Sequence, residues 1–480
     1  MGQHSPQQVH WPDALAPDHE AGRQEGIVRT RAQPQARSKT GPNTTPRPRG
    51  RFLTRARRGV GLALAAVTAS AALAACGGGE SGPPTLVWYI NPDVGNVDPT
   101  AGGQATLAKE CAEASGGAYR MQVQLLPVDA SAQREQLVRR LAAQDSSIDL
   151  MSLDPPFTAE FATAGFLAPV PEEKKSLFTQ GVLDGAVEQA RWEGDLVAVP
   201  FWANTQLLWY RKSVAREAGL NMNEPVTWDQ IIDAAVETDT TVGVQANRYE
   251  GYSVWINALV EGGGGTIVED AAAGQDATIA LDTAAGRKAA AIIDKLTDSS
   301  AAAPAISTAE ETESLATFVQ PNGGFLVIWP YIFADPSTEG LRNDIGWTRY
   351  PRTVADQPSA PPLGGINLAV SAYSENRDLA YQAAQCITSA EHQKDYMLNA
   401  GNPAAKAVVY DDPEILEAYP MADAIRASID SASPRVPTPY WSDVSSALQR
   451  AFHSPNSVGP QTPAEATQLI TDVLQGRALL

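Results

Sequence analysis

The run Ile148-Asp149-Leu150-Met151-Ser152-Leu153 is short and nearly all apolar, and Asp154-Pro155-Pro156 follows it directly. This pattern predicts a strand buried on both faces, because a half-exposed strand would alternate apolar and polar residues. The two prolines end the strand. Two further strands are predicted before it, at residues 86–90 and at the alternating residues 119–125.

Helical patterns separate these three strands. One covers residues 101–114, and a second, over residues 133–143, places Leu137 and Leu141 on one face. A βαβαβ succession predicts a parallel-rich sheet with right-handed crossovers, and ligands bind beyond the carboxyl ends of such strands. The alternation resumes later with helices predicted at residues 228–237 and 284–297 and strands at residues 325–328 and 366–370.

Length and charge narrow the functional classes. A chain of 480 residues exceeds the size at which a single core stops growing, so two domains are expected. The net charge is −19, although the first 75 residues carry more basic than acidic side chains. The remaining chain is therefore strongly acidic and would be repelled by phosphate backbones, which excludes nucleic-acid partners.

The amino-terminal region has the pattern of an export signal. Residues 1–50 are polar and lack an apolar period, so we expect a disordered extension or an upstream start codon. A cluster of arginines at residues 51–58 precedes an apolar run ending in Leu73-Ala74-Ala75-Cys76, which resembles a bacterial lipoprotein signal. We predict a signal peptide at 51–75, lipidation of Cys76, a tether at 76–84 and anchoring on the outer face of the cell membrane. The alternative is a chance cysteine after an alanine-rich helix.

Two cysteines remain for the exported part of the chain. Cys111 and Cys386 form an even pair in an oxidising compartment, which favours a disulfide between them. Two buried free thiols are the alternative.

Motifs for catalysis, metals and cofactors are missing from the sequence. The chain has five histidines, and only His392 and His453 follow the signal, without metal-ligand or triad spacing. The glycine run at residues 262–265 lacks the lysine and hydroxyl residue of a phosphate-binding loop and is interpreted as a turn. We therefore predict no cofactor, no metal and no enzymatic activity.

A small-molecule site combines apolar or aromatic walls with a few placed charged or amide groups. Asp154 is a candidate for such a group because it follows the strand at residues 148–153, where a cleft would open. A capping or turn role is the alternative. Trp209 and Trp228 are assigned to the core.

Several motifs resemble, in order and spacing, the extracellular solute-binding proteins of sugar ABC transporters, the maltose-binding type. They are Ala164-Gly165-Phe166-Leu167, Asn204-Thr205-Gln206-Leu207-Leu208-Trp209-Tyr210, Trp329-Pro330-Tyr331 and Leu363-Gly364-Gly365-Ile366-Asn367. Within that family the chain is similar to trehalose-binding lipoproteins of the LpqY type, through Leu153-Asp154, Gln245-Ala246-Asn247, Trp255 and the two cysteines.

The resemblance implies a two-lobed, periplasmic-binding-protein-like α/β fold with mixed sheets, flanking helices and a ligand cleft between the lobes. Lobe one would comprise residues 84–206 and 350–398, and lobe two residues 207–349 and 402–480. It also implies ABC permease subunits as partners, a chain that is monomeric before docking, and a disaccharide or small glucoside as ligand, with trehalose favoured over maltose.

The family's binding positions carry over to eleven residues, including Asp154. Asn204 would contact the sugar at the crossover, Glu250 would accept hydroxyls, and Trp329 would stack on the ring. The others are Asn91, Tyr252, Trp255, Gly364, Gly365, Arg435 and Tyr440. Three of these residues have a structural alternative. Asn204 could be a turn residue, Glu250 a solvated loop acid and Trp255 a core residue.

Two positions depart from the trehalose-binding group. The loop that begins at Asn91 differs from that group, and Phe157 stands where the group has tryptophan, both in the expected cleft. The alternative functions are a glycosidase using Asp154 and Glu250 as acid and base, and a structural lipoprotein or adhesin.

Overall fold

The computed structural model describes residues 82–224 and 226–480. The predictions for residues 1–50, for the signal peptide at 51–75, for Cys76 and for most of the tether lie outside the described residues. Pro83–Leu480 belong to one compact unit. Within the described ranges, no helix combines the length and the apolar character needed to cross a membrane.

Thirteen strands occur in the described part of the chain. They are β1 (Thr85–Ile90), β2 (Arg120–Leu125), β3 (Leu150–Leu153), β4 (Arg191–Trp192), β5 (Asp195–Leu196), β6 (Val199–Thr205), β7 (Leu207–Arg211), β8 (Thr241–Gly243), β9 (Val268–Glu269), β10 (Thr278–Ile279), β11 (Gly323–Ile328), β12 (Ile345–Thr348) and β13 (Leu363–Val370).

Sixteen α-helices occur in the same ranges, together with several short 3-10 turns. They are α1 (Gln104–Ala114), α2 (Ala130–Ala142), α3 (Thr158–Thr163), α4 (Glu172–Thr179), α5 (Asp184–Gln189), α6 (Lys212–Glu217), α7 (Trp228–Glu237), α8 (Glu250–Gly262), α9 (Ala284–Thr297), α10 (Glu311–Phe318), α11 (Arg377–Ile387), α12 (Ala390–Ala400), α13 (Pro413–Ala418), α14 (Ala422–Asp430), α15 (Trp441–Phe452) and α16 (Thr462–Leu474).

Sheet one has the strand order β2-β1-β3-β13-β6. Strand β1 pairs in parallel with both β2 and β3, which confirms the parallel pairing expected from the βαβαβ pattern. All four residues of β3 are buried, as its apolar run predicts. Strand β13 pairs antiparallel with β3 and β6, so the sheet is mixed.

Sheet two has the order β12-β7-β11-β8, with β7 antiparallel to β11 and β12 and β8 parallel to β11. Its central strand β11 is buried along its whole length. Helix α7 beside it starts where predicted, because Thr227 Oγ1 accepts from Gln230 N (3.2 Å) while Gln230 Oε1 accepts from Thr227 N (2.8 Å).

The chain passes between the sheets at two places next to the site described below. Gln206 alone separates β6 of sheet one from β7 of sheet two, and residues 349–362 lead back from β12 to β13. Trp209 and Trp228 are fully buried, as predicted.

Cys111 on α1 and Cys386 on α11 are joined by a disulfide. The predicted pairing is thereby confirmed, and the alternative of free thiols is not what the structure has. Cys111, Cys386 and His392 are also the one group of three potential metal ligands in the described residues, but both sulfurs are already bonded to each other.

Candidate functional site

A cavity of about 500 Å³ opens where the two sheets meet. Sheet one contributes the residues that follow its strands, Asn91 after β1 and Asp154 after β3, and also parts of β6 and β13. Sheet two contributes Trp329 after β11, together with the first residues of α8 and α10. Strand ends and helix starts therefore bring polar groups and aromatic rings from distant parts of the sequence into one cavity.

Three charged side chains form what we call the arginine cluster: Asp154, Glu250 and Arg435. Arg435 Nη1 donates to Glu250 Oε1 at 2.9 Å, and Nη2 donates to Asp154 Oδ1 at 3.2 Å. The arginine side chain is 6% exposed, so it depends on these two carboxylates for charge compensation. We expected Asp154 and Glu250 to contact the ligand, and in the structure Arg435 bridges the two carboxylates.

Glu250 is also held by helix α15. Trp441 Nε1 donates to its Oε1 at 2.8 Å, and Ser445 Oγ donates to its Oε2 at 2.5 Å. Both carboxylate oxygens therefore already accept hydrogen bonds from the protein. Glu250 lines the cavity as expected, and its carboxylate also holds Arg435, Trp441 and Ser445 in place.

Asp154 has more capacity to bind a ligand. It precedes the short turn Pro155–Phe157, and among the described residues its Oδ2 has no hydrogen-bond partner. Burial raises the pKa of Asp154 to about 6, against the opposing pull of Arg435. The carboxyl thus faces the cavity with one oxygen available.

The second group, the tryptophan cluster, consists of Tyr249, Glu311 and Trp329. Tyr249 Oη donates to Glu311 Oε2 at 2.9 Å, and Trp329 Nε1 donates to Glu311 Oε1 at 3.4 Å. Burial raises the pKa of Glu311 and also that of Tyr249. Glu311 thereby orients both aromatic rings at the cavity wall.

The two glycines of β13 line the cavity, and each is required by a neighbour. A Cβ on Gly364 would lie 3.1 Å from the Trp329 ring. Gly365 has φ +119°, where a side chain is strained, and its Cβ would lie 2.2 Å from the Trp202 carbonyl oxygen. Gly364 therefore allows the indole of Trp329 to approach the sheet closely.

Two asparagines complete the sheet-one wall. Asn204 is 8% exposed; its Oδ1 accepts from Thr205 N at 2.9 Å, and its Nδ2 has no partner among the described residues. Asn91 is held by Gln104 Nε2, which donates to Asn91 O at 3.0 Å and to Asn91 Oδ1 at 3.1 Å. Asn204 therefore offers a free donor, whereas Asn91 is braced from behind.

Three predicted binding residues lie away from the cavity. Tyr252 and Trp255 are 0% and 1% exposed; Tyr252 Oη donates to Phe452 O at 3.1 Å, and the Trp255 ring packs on Trp228. Tyr440 lies beside Gly274 instead. Helical geometry explains Tyr252 and Trp255. They follow Glu250 by two and five positions and therefore point away from the helix face that lines the cavity, which Glu250 shares with Val254.

Phe157, whose difference from tryptophan was expected to alter the cleft, is 2% exposed and packs in the core. It does not line the cavity. The substitution therefore carries no information about the ligand.

Several cavity residues were missed by the sequence interpretation. Trp202 is the single partly exposed residue of β6, and Tyr331 and Asn402 also line the cavity. The sequence offered a signal for two of them: Tyr249 is adjacent to the predicted Glu250, and Trp202 lies two positions before the predicted Asn204. Glu311 had no local signal, because it reaches the cavity only through the packing of α10 on β11.

The glycosidase alternative conflicts with this geometry. A hydrolase needs one carboxyl that donates a proton and another that acts as base or nucleophile across the scissile bond. Here Asp154 and Glu250 share one guanidinium, and each Glu250 oxygen already accepts at least one hydrogen bond from the protein.

The fold and the cavity define a protein that encloses a small ligand between two sheets. The profile of the bacterial extracellular solute-binding protein family matches residues 121–394, and the chain belongs to this family. The family is one of binding proteins, in agreement with the prediction that the chain is not an enzyme.

Two curated relatives share part of the sequence. A probable ABC transporter-binding protein of Deinococcus radiodurans is 27% identical over 280 residues, 54% of this chain and 64% of that protein. A mannitol-binding protein of Pseudomonas aeruginosa is 26% identical over 320 residues, 64% of this chain and 71% of that protein. The chain thus spans less than two thirds of the first relative.

A solved structure, maltose-bound MalE3 of T. maritima, superposes with a TM-score of 0.71. It is 21% identical, and the match covers 82% of this chain and 100% of that chain. This likeness confirms the predicted fold class, a two-lobed periplasmic-binding-protein-like α/β fold.

Proposed function

We propose that the chain is the lipid-anchored substrate-binding component of an ABC importer that captures a disaccharide or small glucoside, with trehalose favoured. The observation that carries this proposal is the composition of the cavity. Trp329 and Trp202 offer flat apolar surfaces, while Asp154 Oδ2 and Asn204 Nδ2 offer one acceptor and one donor. A sugar needs this combination.

The proposal includes a mechanism for signalling to a permease. We assign residues 84–206 and 350–398 to lobe one and residues 207–349 and 402–480 to lobe two. Asp154 and Asn204 then belong to the first lobe and Trp329 to the second. A sugar that contacts both lobes binds the closed form more tightly and shifts the population toward it.

The relatives' names support this assignment and define a competitor. The Deinococcus relative is called an ABC transporter-binding protein, while the Pseudomonas relative is called mannitol-binding. A polyol is therefore the second candidate ligand. It ranks below a sugar because it offers hydroxyls but lacks the flat ring face that stacks on an indole. Maltose, bound by the MalE3 neighbour, is the third.

The test is a calorimetric titration of the purified chain with trehalose, maltose and mannitol, accompanied by thermal melts. A true ligand raises the melting temperature as its concentration increases, because only the folded state binds it. Saturable binding of trehalose or maltose with recovery of intact sugar supports the proposal. Mannitol binding alone favours the polyol, and no binding to any of the three overturns trehalose and maltose as ligands.

The lipid anchor is proposed from the sequence alone. Replacement of Cys76 by alanine should release the protein or leave the signal uncleaved, as membrane fractionation and intact-mass analysis would show. A normally anchored Cys76→Ala product would exclude lipidation at this residue.

A further inference from the structure

The cavity lining is strongly unbalanced in charge. Its carboxylates are Asp129, Asp154, Glu250, Glu310 and Glu311, whereas Arg435 is the one basic side chain among the described lining residues. Neutral sugars require acceptors, but they do not require an excess of negative charge. This imbalance indicates something about the ligand beyond its hydroxyl groups.

The single arginine is already committed. Arg435 pairs with Asp154 and Glu250, so it compensates neither Glu310 nor Glu311. Among the described residues, neither of these two glutamates forms an ion pair within 4 Å. The positive end of α10, at whose start they lie, offsets only part of their charge. Glu311 of the tryptophan cluster and the adjoining Glu310 are therefore carboxylates that lack a cation among the described residues.

Glu311 has room for a further donor. Each of its oxygens accepts one hydrogen bond, from Tyr249 or from Trp329, and a carboxylate oxygen can accept two. Burial raises its pKa, which shows that its charge is poorly solvated. A cation from the ligand would supply what the protein does not.

The same cavity has four aromatic side chains in its lining. Trp329 and Tyr249 flank Glu311, and Trp202 and Tyr331 also line the cavity. Indole and phenol faces attract cations through their quadrupoles. Independently, Asn204 is 8% exposed and has an unpartnered Nδ2, which calls for an acceptor oxygen on the ligand. The ligand should thus combine a cationic group with hydroxyls.

We infer that the ligand is a glycoside bearing a protonated amine, with the amine against Glu311 and Glu310 and the hydroxylated remainder toward Asp154 and Asn204. This inference rests on the proposed function and narrows it from glucosides in general to amino glycosides. It also excludes uronic acids and sugar phosphates, which the carboxylates would repel.

The test compares matched ligands on the intact chain. Trehalose, maltose, mono-amino derivatives of each and a glucuronate-containing disaccharide are titrated by calorimetry at low salt and at about 0.5 M salt. The best amino derivative should bind at least about tenfold more tightly than its neutral parent, the uronate should not bind, and salt should reduce the amine's advantage.

A variant places the effect in the structure. Glu311→Gln should remove most of the preference for the amine, while Glu188→Gln, an exposed carboxylate outside this cavity, should keep it. A full preference in Glu311→Gln would overturn the placement. Should that variant fail to fold, the ligand comparison on the parent chain still decides.

The two proposals fail in different ways. If neutral sugars bind as tightly as their amino derivatives, the inference is wrong and the proposed function stands. If neither the neutral sugars nor their amino derivatives bind, the proposed function itself is overturned, and the inference with it.

Discussion

Glu250 and Glu311 occupy equivalent local positions and have opposite surroundings. Each is the first residue of a helix that starts at the cavity, and each accepts a hydrogen bond from an indole, Trp441 at 2.8 Å or Trp329 at 3.4 Å. Glu250 also accepts from Arg435 and Ser445, whereas Glu311 accepts only from Tyr249 in addition. Glu250 therefore accepts three hydrogen bonds from the protein and is paired with a cation, whereas Glu311 accepts two and is not.

This difference indicates that some residues of the cavity stabilise its walls and others remain available to a ligand. The carboxylate of Glu250 holds the cavity walls in place, because its removal leaves the buried Arg435 with one partner fewer. The tryptophan cluster keeps acceptor positions and ring faces for something that is not part of the chain. Removal of Glu250 should therefore mainly reduce stability, and mutations in the tryptophan cluster should mainly reduce affinity.

The largest effect is expected for Glu250→Ala. This change removes one of the two carboxylates paired with the buried Arg435, and this carboxylate is also the acceptor for Trp441 and Ser445. The free energy of unfolding should therefore fall by about 3 to 5 kcal/mol. Urea denaturation measures this. The matched variant Glu311→Ala should lose no more than about 1 kcal/mol. Equal losses in the two variants would end the distinction between the clusters.

Trp329→Ala should next show a large loss of affinity with little loss of stability. Removing the indole leaves one face of the sugar wet, so the dissociation constant of the best sugar should rise by about ten- to a hundredfold. Trp192→Ala, in the β4–β5 hairpin outside the cavity, is the control and should bind normally. Affinity unchanged by Trp329→Ala would remove this residue from the site.

Asp154→Asn tests the member of the arginine cluster that still has a free oxygen. A hydrogen bond to a charged group contributes about 1.5 to 3 kcal/mol, so affinity should fall about tenfold or somewhat more. Calorimetry measures it, with the exposed Asp195→Asn as control. A variant that binds within twofold of the parent would show that Asp154 serves Arg435 alone.

The smallest effect concerns pH. The folded-state pKa of Asp154 is about 6, above its ordinary 3.8, so the folded protein holds this proton more tightly than the unfolded chain. The resulting stability is complete below about pH 4 and is lost as pH rises through about 6.

Relative to Asp154→Asn, the parent should therefore lose about 1 kcal/mol or more of stability between pH 4.5 and pH 7. Urea denaturation of both proteins across this range provides the measurement. A difference that stays constant with pH would contradict the buried, cavity-facing position of this carboxyl.

Much of the fold could be predicted because its signals are local. The strands β1 and β3 and the helix α9 follow from short apolar runs and helical spacing, and the structure places them within two residues of the expectation. The antiparallel insertion of β13 between β3 and β6 could not be predicted from pattern, because pairing across about two hundred residues leaves no local signature.

The site was harder to predict for a related reason. Helix α8 is buried on nearly every face, so its sequence does not distinguish the cavity side from the core. Tyr252 was expected at the cavity but lies in the core, and Tyr249 lines the cavity but was not predicted. Asp154 and Trp329 line the cavity as expected, and each follows a buried strand at its carboxyl end. Glu311 lies 62 positions from its partner Tyr249, and only the folded structure brings the two together.

The disulfide between Cys111 and Cys386 closes a covalent ring whose ends are 275 positions apart. All four strands of sheet two lie inside that ring. A protease that cuts the backbone once between the two cysteines would therefore yield two pieces that stay joined through the disulfide, and the nicked molecule migrates as one species until a thiol is added. For a protein exposed to proteases outside the cell, a segment cleaved within the ring would therefore stay attached to the rest of the molecule.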